Sequence, residues 1–242
     1  MTAYAWFELK RLMRSPGMLL YTVVMPVASY AVFTIGSDRG TVEGLPVDTS
    51  IMIGLAGYGA LTGVLSLSAG VSSERTYGWL RQLRVTPLRS WQVIVVKIFV
   101  CTPIAIPSVL AVGAAGYLEH GVRLSPERWV LVLVALWLGT IPFSLLGLAM
   151  AYALKPSFAQ SASFLAFFTL SALGGLFVPV AAFPAPMRDL AHALPSNRYA
   201  ELGWRAATGH LPTGSGTAIL AAWTLLFCAL AALAYRRSAR TR

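Results

Sequence analysis

The chain has 242 residues, of which 57% are hydrophobic and 12% are charged, and its formal net charge is +10. A soluble domain of this length has about a quarter of its residues charged, so the composition excludes an ordinary soluble globular protein. A mean hydropathy of +0.68 and several apolar runs of about 20 residues indicate an integral membrane protein.

The apolar runs predict an all-α membrane protein with six transmembrane helices in a single transmembrane domain, residues 1–242. A basic segment, Lys10 to Arg14, precedes the first run and is also typical of a signal peptide. However, that run is longer than the roughly 7–15 residues of a signal-peptide core, so we expect a retained span. The predicted spans are residues 16–35, 51–71, 98–117, 129–153, 158–180 and 217–235.

The basic residues are distributed unevenly between the two sides of this topology. An even number of spans places both termini on one side, and that side then holds most of the lysines and arginines but only Glu8 and Glu74 among the acids. By the positive-inside rule this side is cytoplasmic. The high pI therefore needs no nucleic-acid partner, and the basic face suits the anionic lipids of the bilayer.

Residues 1–15 form a predicted amphipathic helix at the inner membrane surface. Its apolar and basic residues separate onto opposite faces at helical spacing, and Pro16 ends it. An interfacial helix is favoured over a simple cytoplasmic extension of the first span because the two faces are cleanly divided. Its face-defining residues are Trp6, Leu9 and Met13 on one side and Lys10, Arg11 and Arg14 on the other.

A charged segment, residues 72–92, separates the second and third spans. Its core reads SSERTYGWLRQLRVTP, and as a helix it places Leu80 and Leu83 on one face and Glu74 and Arg81 on the other. Pro87 ends that helix. Such a helix either lies on the lipid surface or inserts into a groove of a partner protein, and its amphipathic pattern alone leaves both interpretations open.

Residues 181–214 are predicted to form a re-entrant or interfacial hairpin on the outer side. Prolines mark the starts of two short helical pieces at about 185–194 and 196–208. Leu190, Tyr199 and Trp204 are apolar enough that we expect them to enter the outer leaflet. In the second span, the GxxxG motif from Gly59 to Gly63 favours close packing inside the bundle over a dimer seam.

Ionisable residues are absent from the interior of the predicted spans. Lys97 precedes the third span, where we expect it to anchor the helix at the inner interface together with Trp91. This pattern disfavours proton- or ion-coupled transport, which needs charge-binding groups inside the membrane.

The sequence also offers no evident catalytic or metal-binding residues. His120, His192 and His210 fall in outer loops without ligand spacing, and Cys101 and Cys228 fit neither a metal site nor a disulfide framework. The chain has no GxxxxGK[ST] phosphate loop, so we expect any nucleotide to bind another subunit.

The charged segment resembles the cytoplasmic loop of type-2 ABC exporter permeases. The resemblance rests on Glu74-Arg75, Gly78, Leu80-Arg81, Leu83-Arg84 and the closing VTPL of residues 85–88. The late residues Gly174-Gly175, Pro179, Phe183-Pro184, Leu194-Pro195 and Tyr199 are similar to the end of the fifth span and the outer hairpin of that family. The N-terminal helix resembles its connecting helix. In kind, the chain resembles daunorubicin-resistance-type bacterial drug and antibiotic efflux permeases.

This resemblance implies a subunit of an ATP-driven exporter in the bacterial cytoplasmic membrane. Two permease chains, identical or different, would assemble with two cytoplasmic ATPase subunits that bind ATP and Mg. Leu80 and Leu83 would fill a groove of the ATPase, and Glu74, Arg81 and Arg84 would contact its rim. The candidate coupling residues are Glu74, Arg75, Tyr77, Gly78, Leu80, Arg81, Leu83 and Arg84.

The lack of interior charge in the spans favours a hydrophobic, amphipathic or lipid-like cargo over a small ion, and the resemblance implies a drug or antibiotic. Tyr30, Phe33 and Phe177 are aromatic candidates for its path. The candidate outer gate comprises Phe177, Pro179, Phe183, Tyr199 and Trp204.

Two other classes of protein remain as alternatives. One is a channel or facilitator that works without an ATPase, and the other is a membrane enzyme or a sensor subunit of a resistance system. Dependence on a nucleotide-binding partner separates the exporter from both, and the lack of a catalytic set weighs against the enzyme.

Overall fold

The computed structural model describes residues 16–35, 40–42, 44–76 and 90–240. These residues form ten α-helices and one two-stranded antiparallel ribbon, which confirms the predicted all-α class. The predicted interfacial helix, residues 1–15, and residues 77–89 of the charged segment lie outside the described residues. The helices are α1 Pro16–Phe33, α2 Val47–Thr76, α3 Ser90–Cys101, α4 Ala105–Glu119, α5 Pro126–Leu138, α6 Ile141–Ala153, α7 Pro156–Leu173, α8 Ala185–Ala193, α9 Pro195–Thr208 and α10 Gly214–Arg240.

Four helical stretches in the described residues are long and apolar enough to cross a membrane. They correspond to the predicted second, third, fourth and sixth spans, while the apolar part of α1, Leu20–Phe33, is shorter. The number of six spans therefore remains a prediction. The four stretches are Val47–Ser73, Gln92–Glu119, Pro126–Ala153 and Gly214–Ser238.

Helix α2 is the centre of the bundle and packs against α1, α4, α6, α7 and α9. A Cβ at Gly59 would overlap Pro26 of α1 and Ser108 of α4, and a Cβ at Gly63 would lie 2.8 Å from Thr22 of α1. Glycine is needed at these positions because the neighbouring helices approach the α2 backbone so closely. The predicted use of the GxxxG motif for packing inside the bundle is confirmed.

The other helices are arranged around this centre. Helix α10 packs mainly on α6, and α9 packs mainly on α5. The ribbon joins β1, Thr41–Val42, to β2, Leu45–Pro46, through Gly44, whose φ of 80° lies in the left-handed region that glycine readily adopts. This ribbon leads directly into the start of α2.

The third span starts earlier than predicted, and this changes the position of Lys97. Helix α3 begins at Ser90 and continues through a 3-10 turn, Thr102–Ile104, into α4. Pro103 lacks the backbone N–H of a regular helix, which accounts for the turn. Lys97 thus lies within the apolar helical stretch, and its side chain is only 3% exposed. The expectation that Lys97 precedes the span as an interfacial anchor is wrong.

The predicted fifth span, residues 158–180, is helical only as far as Leu173. Gly175 adopts a φ of 80°, and the Leu176 N–H donates to the Ser171 carbonyl, which closes the end of α7. This is the glycine-dependent termination of a helix by a left-handed residue. Phe177 and Pro179 consequently lie in a turn that precedes the short 3-10 helix Val180–Ala182.

Candidate functional site

The predicted coupling residues lie at the end of the central helix or beyond it. Glu74 and Arg75 belong to the last turn of α2, which extends past its apolar part, Val47–Ser73. Tyr77, Gly78, Leu80, Arg81, Leu83 and Arg84 lie outside the described residues, as do Trp6, Leu9, Lys10, Arg11, Met13 and Arg14. The assignment of both groups therefore stays a prediction.

The C-terminal end of α2, which leads into the charged segment, lies beside the C-terminal ends of α6 and α10. Val71 of α2 and Tyr152 of α6 are buried in one cluster against which Tyr235 of α10 packs. The rings of Tyr152 and Tyr235 meet edge to face at 5.0 Å. The cluster therefore brings the ends of α2, α6 and α10 together.

The hairpin of α8 and α9 occupies the stretch in which two short helices are expected, Ala185–Ala193 and Pro195–Thr208. The two predicted helical pieces are thus confirmed. Pro186 lies in the first turn of α8 and Pro195 in the first turn of α9, where a missing backbone N–H is tolerated. Helix α9 ends at Gly209, whose φ is 79°.

Tyr199 of α9 is inserted between backbones of the bundle and is fully buried. Its ring is so close to Gly57 and Gly139 that Cβ atoms there would lie 3.0 Å and 2.5 Å from ring carbons. Phe143 packs edge to face at 5.5 Å, and the phenol donates to the Gly57 carbonyl at 3.5 Å. Burial raises the pKa of the Tyr199 phenol, so the group is neutral at physiological pH.

Trp204 makes a second anchor between α9 and α2. Its indole N–H donates to the Ser50 carbonyl at 3.1 Å, and the residue is 5% exposed. Tyr199 and Trp204 therefore pack inside the protein, and the expectation that they enter the outer leaflet is wrong for both. Leu190 of α8, in contrast, is half exposed. Aromatic residues in a hairpin look alike in sequence whether they face lipid or the bundle.

The turn between α7 and α8 is tied to the hairpin through polar contacts. The Asn197 side-chain amide donates to the Gly174 carbonyl at 3.1 Å. The Arg188 guanidinium donates to the Ala181 carbonyl at 3.4 Å and to the Phe183 carbonyl at 3.1 Å. Pro179 and Phe183 are half-buried in this turn. The predicted outer-gate residues thus belong to one connected region.

Phe177 joins an exposed aromatic surface, which we define as Phe33, Phe164, Phe168 and Phe177. Phe177 stacks on Phe33 of α1 at 6.0 Å and lies 6.1 Å from Phe168 of α7. Phe164 stacks on Phe168 at 6.5 Å. Three members, Phe33, Phe164 and Phe168, are 41%, 57% and 52% exposed, so the rings are open to whatever fills the space beside the bundle.

Only two of the four residues of this surface were predicted from the sequence. Phe33 and Phe177 are among the predicted path residues, whereas Phe164 and Phe168 are not, although their four-residue spacing on α7 places them on one helix face. Tyr30 does not belong to the surface. It is fully buried, and its hydroxyl is hydrogen-bonded to Nδ1 of His120 at 3.1 Å. The expectation that Tyr30 lines the path is wrong.

The aromatic surface has the chemistry of an apolar contact site. Its side chains carry no titratable group, and rings of this kind bind apolar or cationic partners through dispersion and their π faces. Within the part of the chain that the structure describes, no group of three or more His, Cys, Asp or Glu residues could hold a metal ion. The arrangement is suited to contact with an apolar partner.

A bundle of long apolar helices, held together by glycine contacts and closed at one end by an inserted hairpin, defines a multi-pass membrane protein. Residues 1–202 match the family described as ABC-2 type transporter. The chain belongs to this family and is the permease subunit of an ABC transporter, which confirms the resemblance seen in the sequence.

A similar protein is known from Bacillus subtilis (strain 168). It carries the name "Putative transport permease YvfS" and is 24% identical over 224 residues, which cover 92% of this chain and 91% of that protein. The similarity thus extends over nearly the full length of both chains.

Proposed function

We propose that the chain moves a hydrophobic or amphipathic compound outward across the bacterial cytoplasmic membrane, using ATP hydrolysed by separate cytoplasmic subunits. Membership of the ABC-2 family implies association with ABC ATPases. A working unit would contain two permease chains, identical or different, and two ATPases that carry ATP and Mg. Glu74 to Arg84 would form the coupling helix, with Leu80 and Leu83 in a groove of the ATPase.

The observation that carries this proposal is the position of α2. This helix of 30 residues runs into the proposed coupling segment, which we define as residues 74–84. It also packs against five other helices of the bundle. A displacement of the coupling segment would be transmitted to the whole bundle because a continuous helix moves nearly as a rigid body. ATPase closure could therefore change the arrangement of the spans.

The distribution of charge supports a cytoplasmic position for this end of the bundle. Lys155 follows the end of α6, and Arg236 and Arg237 lie near the end of α10; both helix ends meet the end of α2. Together with the basic residues of the coupling segment they satisfy the positive-inside rule. The termini would then be cytoplasmic, and the α8–α9 hairpin would face outward.

The exposed aromatic surface supports an apolar cargo. Four phenylalanine rings form it, and three of them are at least two-fifths exposed. An ion would gain little from such a surface, whereas an amphipathic compound with an aromatic or alkyl part would pack well against it. Phe177 connects this surface to the turn held by the α8–α9 hairpin, where we place the exit.

Co-purification tests the coupling helix. The wild-type chain, Leu80→Asp/Leu83→Asp and a control, Leu211→Asp, are purified from native membranes in mild detergent, and accompanying proteins are identified by mass spectrometry. Leu211 is 85% exposed in the loop between α9 and α10, so the control introduces an acid far from the coupling segment. We expect an ATPase subunit with the wild type and the control, and its loss from the double variant.

A chain that purifies without an ATPase in all three forms would contradict the proposal. If such a chain also conducted or transported in liposomes without nucleotide, it would be a channel or facilitator. The direction of transport is tested separately in inverted membrane vesicles. The interior of these vesicles corresponds to the outside of the cell, so we expect a fluorescent amphiphile to accumulate inside them when ATP is added. ATP-dependent loss of the amphiphile from the vesicles would contradict export.

A further inference from the structure

A large polar cavity lies at the end of the bundle where the α8–α9 hairpin is seated. Its volume is about 850 Å³, which falls within the range of small-molecule sites. The start of α2, the loop of residues 120–124 and helix α9 form its walls. Three apolar helical stretches, Val47–Ser73, Gln92–Glu119 and Pro126–Ala153, begin or end beside it. The cavity therefore lies at the depth of lipid headgroups.

All three histidines of the chain line this cavity, although they are far apart in the sequence. Each is held through Nδ1 by a neighbour. His120 is hydrogen-bonded to Tyr30, His192 to Asn197 at 3.2 Å, and His210 to Thr208 at 2.9 Å. Three ordered imidazoles at one opening give the wall hydrogen-bonding groups beside its apolar residues.

Positive charge exceeds negative charge around the cavity. Its lining contains four arginines but only two acids, Asp48 and Glu201. Glu201 already accepts hydrogen bonds from Arg198 at 2.8 Å and from Thr213. One Arg205 nitrogen, Nε, donates to the Leu211 carbonyl. The remaining two arginines are Arg123 and Arg128.

Arg123 and Arg128 are exposed, and neither has an ionic partner within the part of the chain that the structure describes. The Arg128 guanidinium lies about 3.5 Å from where a Cβ on Gly209 would sit. Guanidinium groups present paired N–H donors that match the oxygens of carboxylates and phosphates. Two such groups in one cavity favour an anion with several oxygens.

We propose that this cavity binds a phosphate ester. The two uncompensated guanidinia match the charge and the oxygen atoms of a phosphate, while a bare ion would leave most of the volume empty. Leu45, Val122 and Trp204 supply apolar wall beside the arginines and would contact the organic part of the ester. The same chemistry is offered by the headgroup of an anionic phospholipid and by a soluble phosphate monoester.

Calorimetric titration tests the site in the full-length chain, purified in an uncharged detergent with any subunit that accompanies it. The probes are dihexanoylphosphatidylglycerol, sn-glycerol 3-phosphate and, as the uncharged control, glycerol. The variant is Arg123→Gln/Arg128→Gln. The matched control is Arg188→Gln, which removes a charge from the same end of the bundle but outside the cavity lining.

We expect the wild type and Arg188→Gln to bind at least one phosphate probe and to ignore glycerol. Each lost guanidinium should weaken binding about tenfold, and added salt should weaken it further, because the contacts are charge-assisted. Binding of the lipid alone would identify a headgroup site, and binding of glycerol 3-phosphate as well would identify a soluble ester. Either result supports the proposal.

Two results would overturn it: no binding of either phosphate probe by the wild type, or equal binding by the wild type and the double variant. Arg123 and Arg128 are exposed, so the thermal unfolding of the double variant should match that of the wild type. Arg188→Gln loses guanidinium contacts to the Ala181 and Phe183 carbonyls, so it should unfold slightly earlier but still bind the phosphate probe. This experiment measures neither ATPase docking nor transport. Its failure would therefore leave the proposed exporter function standing, and failure of that function would leave this site standing.

Discussion

The fit of Tyr199 between two glycines gives the sharpest test of the fold. Gly139 has a φ of −63°, which alanine adopts freely, so Gly139→Ala acts only through its added methyl group. That methyl would lie 2.5 Å from a ring carbon of Tyr199 and 2.9 Å from the Ala135 carbonyl oxygen. Because the ring is fully buried against Gly57 and Phe143, it has little room to move, and we expect a cost of about 1–3 kcal/mol.

Removing the ring should change the effect of the added methyl. Tyr199→Ala deletes a fully buried aromatic ring and should cost about 3–5 kcal/mol. In the double variant, Gly139→Ala/Tyr199→Ala, the methyl enters the space that the ring has left. The double variant should therefore be about as stable as Tyr199→Ala alone, with a coupling free energy of at least about 1 kcal/mol in favour of the pair.

The assay is equilibrium unfolding of the purified chain in mixed micelles with an increasing fraction of sodium dodecyl sulfate. Gly70→Ala is the control, because a Cβ at Gly70 meets nothing within 4 Å. That control should be neutral or slightly stabilising, since alanine is about 1 kcal/mol better than glycine in a helix. Additive effects of Gly139→Ala and Tyr199→Ala would refute the reasoning, because they would mean that the methyl and the ring do not compete for space.

Three further outcomes follow from individual side-chain contacts of the structure. Trp204→Phe keeps the ring packing but removes the donor to Ser50, so it should lower the free energy of unfolding by about 1 kcal/mol in a thermal scan. Trp204→Ala should lower it by about 3–5 kcal/mol. Equal losses would mean that the indole N–H, and not the ring packing, dominates. Glu201→Ala removes the acceptor of Arg198 and Thr213 and should cost about 1–3 kcal/mol, whereas Glu201→Gln, which keeps one acceptor oxygen, should cost less in the same scan. Phe33→Ala/Phe168→Ala should reduce ATP-dependent transport of an aromatic amphiphile severalfold while ATPase co-purification stays normal, and unchanged transport would remove the aromatic surface from the cargo path.

Apolar runs and prolines predicted several helices correctly from the sequence. Apolar runs located α2, α6 and α10, and prolines located the starts of α8 and α9, because both signals act within a few residues. The end of α7, in contrast, was predicted too late in the chain. Gly174 and Gly175 interrupt an apolar run that continues to Val180, and hydropathy alone does not distinguish a continuing helix from a buried turn.

The candidate sites depended on contacts between residues far apart in the chain. Tyr199 is 142 residues from Gly57, whose carbonyl it contacts, and Tyr30 is 90 residues from His120. No spacing rule relates such positions, so the three histidines looked like isolated loop residues until the fold brought them to one cavity. Lys97 shows the same limit, because its burial is decided by the helices around it and not by its position in an apolar run.

The two ends of α2 connect the features that matter most. The helix starts at the polar cavity, where Asp48 and Thr49 are part of the lining, and it ends at Thr76, within the predicted coupling residues that start at Glu74. Thirty residues span about 45 Å, which exceeds the thickness of the hydrocarbon core. Gly57 and Ser50, on the same helix, hold Tyr199 and Trp204 of the hairpin. A shift of α2 produced by an ATPase would therefore have to move the hairpin or break its two aromatic anchors. The contacts that stabilise the hairpin would thus also transmit a movement of α2 to it.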